Sequence, residues 1–180
     1  MFDNQTEKFI DVLSSVAESM IVNNYADHIY TLSKGVSWIT FQNECVAVRI
    51  DDQLCKQGKG ITLYSAFKQN LKGDKIYTVF EDSEGDEWIL TNKGISIVGK
   101  KQVDSDFPFQ YIKEADGIIY LVSQSDKLAS YNFKSRQFKF IEIPYHVSMI
   151  NEVKKFDSNT LLLATDNGLI IYKIKEKKFQ

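Results

Sequence analysis

The stretch "EDSEGDEWILTNKGISIV", residues 81–98, decides the fold. An acidic turn, "DSEGD", separates two apolar segments, "IYTVFE" and "EWILT". A second turn, "TNKG", separates "EWILT" from "ISIVG". Gly85 suits a turn because it reaches positive φ without a Cβ clash, and Thr91 suits a strand end. The segment therefore reads as three short strands, A at 76–81, B at 87–91 and C from 95. A fourth, strand D, is expected after "KKQ" at 100–102.

The pattern recurs, and a recurring unit must be found before any single element is assigned. A shift of 74 residues places Ile76 on Ile150, Val79 on Val153, Trp88 on Leu162 and Ile89 on Leu163. Thr91 then meets Thr165, Gly94 meets Gly168 and Ile95 meets Leu169, with no gap. "WILTNKGI" and "LLATDNGL" are thus two copies of one unit. A third copy, "ADGIIYLVSQSDKLASY", aligns Gly117 with Gly85, Tyr120 with Trp88 and Ser123 with Thr91, then needs one inserted residue. A fourth, "KGVSWITFQNECVAV", aligns Gly35 with Gly85, Trp38 with Trp88 and Cys45 with Ile95. The plug positions are Trp38, Trp88, Tyr120 and Leu162, spaced 50, 32 and 42 residues apart.

A second signature fixes the register. "FDNQTEKF" at 2–9, "YNFKSRQF" at 131–138 and "YKIKEKKF" at 172–179 each run from an aromatic through a polar turn to Phe. Each reads as a C–D hairpin. The expected fold is all-β, about four four-stranded antiparallel blades of a β-propeller, in which one sheet cannot bury both faces and units must stack. The approximate repeats are 27–75, 76–107, 108–147 and 148–180, with 1–26 holding the C–D hairpin of a preceding blade and a connection. Within 7–21, Phe9, Leu13, Val16 and Met20 have helical spacing, whereas the repeat phase places a D strand near 8–13. Short helices are expected at most near 14–21 and 64–71. Strand C of the last blade, near 169–174, is expected to be an open edge. Residues 8–13, another chain or a further repeat would cover it.

Composition excludes several classes. Of 180 residues, 43% are hydrophobic, 26% charged and 13% aromatic, as in a soluble domain rich in strands. The 22 basic and 24 acidic residues give a formal charge of −2, with no basic arm for nucleic acid. No apolar run approaches the ~20 residues of a membrane span. The polar start "MFDNQTEKF" is no signal peptide. Cys45 and Cys55 lack CxxC spacing and read as two separate thiols, with a disulfide as the alternative.

The core I-x-x-V-x-E-D-S-x-G-x-x-W-I-x-T-x-x-G-I resembles the two-component regulator propeller repeat. It is carried by Ile76, Val79, Glu81, Asp82, Ser83, Gly85, Trp88, Ile89, Thr91, Gly94 and Ile95. Residues 150–169 keep the Thr and Gly but lack the Trp and the Glu-Asp pair, and 27–45 lack the Thr and second Gly. The resemblance implies a piece of the periplasmic sensor region of a hybrid two-component regulator. Such proteins also carry a membrane helix, a histidine kinase, a receiver and a DNA-binding domain, none of whose motifs occurs here. Many sense oligosaccharides.

No catalytic constellation stands out. Asp82, Glu84 and Asp86 alternate like a calcium loop, but Glu87 and Lys93 occupy the positions that need Gly and Glu. His28 and His146 are the only imidazoles and are far apart in the repeat. No metal or cofactor is expected. A ligand of a propeller meets the face made by D–A and B–C connections. Here the B–C turns are "FQNE", "TNKG", "SQSDK" and "TDNG". The D–A connections carry Asn23, Asn24 and Tyr25, then Phe67 and Lys68, then Phe107 and Phe109, then Tyr145 and His146. Aromatics beside amides suit stacking on a sugar and bonding its hydroxyls. The candidate contacts are Asn24, Tyr25, Asn92, Lys93, Phe109, Asp126, Tyr145, His146 and Asn167. The leading reading is a sensing segment that binds an oligosaccharide and signals through subunit geometry. A homodimer or further blades are its expected partners, without nucleic acid or membrane contact. The alternatives are a protein-interaction scaffold and a carbohydrate-active propeller enzyme.

Overall fold

The computed structural model describes residues 2–3, 8–9, 25–41, 45–57, 59–65, 71–100, 108–132, 135 and 137–180. Two units divide the chain, Met1–Ile76 and Tyr77–Gln180.

The first unit holds a hairpin of β1 (Phe2–Asp3) and β2 (Lys8–Phe9), and a four-stranded antiparallel sheet. That sheet runs β3 (Ala26–Thr31), β4 (Val36–Phe41), β5 (Val46–Asp51) and β6 (Ile61–Ser65) in sequence order. Phe41, Val48, Ile50 and Leu63 form its core, and Trp38 is buried against Tyr64, ring centroids 4.6 Å apart. One turn of helix, α1 (Asp52–Cys55), joins β5 to β6. The Asp51 carboxylate caps it, accepting from the N–H groups of Gln53 and Leu54 at 3.1 Å. This helix was not foreseen. The expected helix at 64–71 begins instead as the last two residues of β6, and 66–70 lie outside the described residues. The segment 14–21 and most of 8–13 also lie outside them.

The second unit contains three stacked sheets. The first comprises β7 (Ile76–Glu81), β8 (Glu87–Thr91) and β9 (Gly94–Ile97), matching strands A and B as read from sequence. Its expected strand D falls at 101–107, outside the described residues. The second comprises β10 (Phe109–Ala115), β11 (Ile118–Ser123), β12 (Leu128–Asn132) and β13 (Gln137–Ile141). The third comprises β14 (Ile150–Asp157), β15 (Thr160–Thr165), β16 (Gly168–Lys173) and β17 (Lys178–Phe179). Both four-stranded sheets are antiparallel meanders in sequence order.

Alternation within the strands builds the cores between sheets, because successive residues face opposite ways. Trp88, Leu90, Ile95 and Ile97 of the first sheet pack on Phe109, Ile112, Ile119 and Leu121 of the second. Tyr120, Val122 and Leu128 leave the second sheet's other face and pack on Val153, Leu161, Leu163 and Ile170 of the third. The plug aromatic is therefore a core residue between blades, as the repeat required.

Turn chemistry repeats with the strands. Gly35, Gly85 and Gly117, equivalent in the repeat, have φ of 73°, 85° and 68°. Thr91 Oγ1 donates to the Gly94 carbonyl at 3.0 Å, and Thr165 Oγ1 donates to that of Gly168 at 2.8 Å. The three hairpins share one register: Phe2 opposite Phe9, Tyr131 opposite Phe138 and Tyr172 opposite Phe179. One expectation needs correction. The last strand C is not bare at Tyr172 and Lys173, which pair with β17, and Ile171 exchanges both backbone bonds with Gln180. Lys8 and Phe9 pair with β1, and residues 10–13 lie outside the described residues.

Candidate functional site

The acidic turn of the opening stretch is a structural device. Asp82 Oδ1 accepts from the N–H groups of Glu84 and Asp86 at 3.0 and 2.8 Å, while Oδ2 accepts from Trp88 Nε1 at 2.8 Å. Asp86 pairs with Lys100, so both carboxylates are engaged by the protein itself. Among the described residues no group of three or more His, Cys, Asp or Glu is placed to hold a metal ion. Cys45 and Cys55 are both free thiols.

Four of the expected contacts meet on the last D–A connection, residues 142–149. Asp126 on the β11–β12 turn, with Tyr145 and His146, lines a concavity of about 630 Å³ that also includes Phe140, Ile143 and Val147. Tyr145, His146 and Asn167, the last on the β15–β16 turn, line a second of about 560 Å³ with Thr165, Leu169 and Gln180. Tyr145 and His146 are common to both. The Tyr145 side is exposed, at 47%, which leaves its ring available to a flat apolar partner.

The connection is held at this height by polar side chains, one of them the expected Asn167 and the other Asp166, which sequence reasoning missed. Asn167 Nδ2 donates to the His146 carbonyl at 2.8 Å. Asp166 Oδ1 accepts from the N–H groups of Ser148 and Met149 at 3.2 and 3.3 Å. Burial pulls the Asp166 carboxyl up, but these N–H donors outweigh it and hold it below the usual carboxylate range. The Ile150 N–H donates to the Gln124 carbonyl at 2.6 Å, tying the same segment to the preceding blade. The ion pair with Lys127 lowers the Asp126 carboxyl, which therefore stays an acceptor at neutral pH. The signal was present: an acidic residue and an amide in the turn "TDNG" are placed to bond neighbouring backbone.

The other candidates are not gathered there. Asn92 and Lys93, on the β8–β9 turn, line neither concavity. Tyr25 is exposed in the first unit, and Asn24 lies outside the described residues. Phe109 is a correction. It is 1% exposed and packs on Phe138, centroids 5.7 Å apart. Phe109 is the first residue of strand A, opposite Ser123, as Ile150 is opposite Thr165, so the repeat phase turns it into the core.

No protein-family model matches this sequence, and no curated protein matches it. Solved structures do share its fold. The extracellular domain of the hybrid two-component system BT4673 from B. thetaiotaomicron aligns at 20% identity and a TM-score of 0.69, over 88% of this chain and 23% of that one. That of BT3049 from the same organism aligns at 18% identity and 0.69, over 99% and 24%. Virginiamycin B lyase from Staphylococcus aureus aligns at 16% identity and 0.69, over 89% and 56%. The chain thus has the β-propeller blade fold and spans about a quarter of the length of the two sensor ectodomains it resembles.

Proposed function

We propose that this chain is a ligand-sensing segment of an extracellular or periplasmic sensor ectodomain, binding a sugar-like polyol without turning it over. The reading is supported by the fold likeness to two sensor ectodomains, which extends over 88–99% of the chain. It rests above all on one observation: the Tyr145–His146 shelf, flanked on both sides by concavities that bring in Asp126 and Asn167. An exposed ring offers a stacking surface for a pyranose face. The Asp126 carboxylate, the His146 ring and the Asn167 amide offer acceptors and donors for its hydroxyls. Sensing then requires that the ligand favour one of two arrangements of the blades or subunits.

The test is an oligosaccharide binding screen on the protein, repeated with two loop variants. One carries Tyr145→Ala with His146→Ala; the other carries Asn92→Ala with Lys93→Ala. Loss of binding in the first alone supports the shelf. Binding that survives the first variant removes this site. Cleavage of an oligosaccharide above the rate in buffer would replace the sensor reading with an enzyme, a role that one propeller of like fold has by its name.

A further inference from the structure

The turn between β15 and β16, Asp166 and Asn167, holds the 142–149 connection through four hydrogen bonds. Asn167 Nδ2 donates to the His146 carbonyl at 2.8 Å. Asp166 Oδ1 accepts from the N–H groups of Ser148 and Met149 at 3.2 and 3.3 Å, and the Asp166 N–H donates to the Met149 carbonyl at 3.1 Å. Asn167 is followed by Gly168, and it is the only asparagine of the chain that precedes a glycine. An asparagine so placed is open to attack by the next residue's amide nitrogen, because glycine has no Cβ to crowd the closing ring.

The structure leaves that ring room to close. Both residues are exposed at the tip of the hairpin. Beyond the immediate chain neighbours, no heavy atom lies within 4 Å of where a Cβ on Gly168 would stand. The turn also needs this glycine: its φ is 114°, where a side chain would be strained. The fold thus keeps the residue that makes Asn167 labile. The equivalent turn 74 residues earlier, Thr91–Gly94, has Lys93 in the place of Asn167 and lacks the reactive pair.

We infer that Asn167 is a deamidation site whose conversion releases the 142–149 connection. The Gly168 backbone nitrogen attacks Asn167 Cγ. The N–Cγ bond forms, the Cγ–Nδ2 bond breaks, and ammonia leaves with the hydrogen that the Gly168 nitrogen gives up. The succinimide then takes up one water at either carbonyl, giving aspartate or isoaspartate, with no change of oxidation state. Either product removes the donor to the His146 carbonyl and sets an acceptor oxygen against it. Isoaspartate also lengthens the main chain by one atom beside Asp166, displacing the turn on which the other three bonds depend. The change is one-way and requires no ligand. It adds a negative charge to the wall of the concavity that Asn167 lines with Tyr145 and His146.

The folded protein is held in warm, mildly alkaline buffer and sampled over days, beside a chain unfolded in guanidinium. Peptide mapping by mass spectrometry, with aspartate and isoaspartate peptides separated, follows every asparagine. Asn167 is expected to convert first. Amide exchange at Ser148 and Met149, read on the same samples, should quicken about fivefold in the converted fraction, the worth of one lost hydrogen bond, while exchange in β11 stays unchanged. Asn167→Gln keeps an amide but closes its larger ring slowly, so it should block both changes. Asn167→Asp should show the faster exchange without incubation, with circular dichroism confirming unchanged strand content. Asn167 that stays intact in the folded chain over the interval in which the unfolded chain converts would overturn the inference. So would conversion that leaves exchange at Ser148 and Met149 as it was.

Discussion

The indole N–H of Trp88 donates to the Asp82 carboxylate at 2.8 Å inside the blade stack, where Trp88 is wholly buried and Asp82 nearly so. The same carboxylate caps the turn through Glu84 and Asp86. One side chain therefore satisfies the plug's only polar atom and fixes the A–B turn that delivers the plug. Asp82→Ala leaves a buried N–H and two turn amides without their acceptor. Removing such a partner costs about 2–4 kcal/mol, against less for Asp82→Asn, which keeps one acceptor oxygen. Urea unfolding of the two variants measures the difference. Equal small losses would mean the indole finds water.

The plug position permits a comparison within one protein. Trp88→Ala opens a cavity between two sheets and is expected to cost about 3–5 kcal/mol. Leu162→Ala, at the equivalent position on the half-open face, is expected to cost about 1 kcal/mol or less in the monomer. Urea melts of the two variants check both statements. A Trp88→Ala loss near that of Leu162→Ala would place the indole at the surface.

Much of this arrangement is legible in the sequence. Strands A and B at 76–81 and 87–91, the three hairpins and the Thr-x-x-Gly turns follow from local chemistry that repeats without change. The inserted residue of the third copy appears as a longer turn, where Ser123 Oγ accepts from the Lys127 N–H at 3.0 Å. Phe109 was misplaced because it borders a connection, yet the alignment of Ile76 with Ile150 marks its position as the first core residue of strand A. The α1 turn lay hidden because four residues carry no period; only the Asp51 cap announces it. The shelf was partly legible. Its residues are polar and aromatic in sequence, but which turns reach the 142–149 connection depends on blade stacking, and that is set by contacts distant in the chain.

The two thiols should differ from a free cysteine in reactivity. Burial, with Asp74 adding repulsion, pushes the Cys45 thiol up to about 11. Because the thiolate is the nucleophile, alkylation of Cys45 in the folded chain near pH 8 should be roughly two orders of magnitude slower than for an unperturbed thiol. The sign for stability follows. The folded form holds its proton more tightly, so this contribution is complete below the unfolded thiol's pKa near 8.5 and declines as pH climbs toward about 11. Iodoacetamide labelling read by mass spectrometry, with and without urea, tests the first statement. Rapid labelling of Cys45 in the folded chain would contradict it.

The last prediction concerns the brace beneath the candidate shelf. The Asp166 carboxylate accepts from Ser148 and Met149, and those N–H donors lower it despite burial acting the other way. A lowered acid stabilises the fold above the unfolded aspartate value of about 3.9 and loses that contribution as pH falls through its own lower value. The 142–149 connection should therefore loosen in acid. Amide exchange at Ser148 and Met149 should accelerate below that range relative to the strand amides of β15, after correction for intrinsic rates. Asp166→Asn keeps an acceptor oxygen but no titration, so it should remove the pH dependence while retaining part of the protection. Tyr145 and His146 sit immediately before the braced segment, so ligand affinity at the shelf should fall over the same acidic interval in the unsubstituted chain and change less in Asp166→Asn. Exchange at these two amides that ignores both pH and the substitution would show that the connection is held by Asn167 and the Gln124 carbonyl alone.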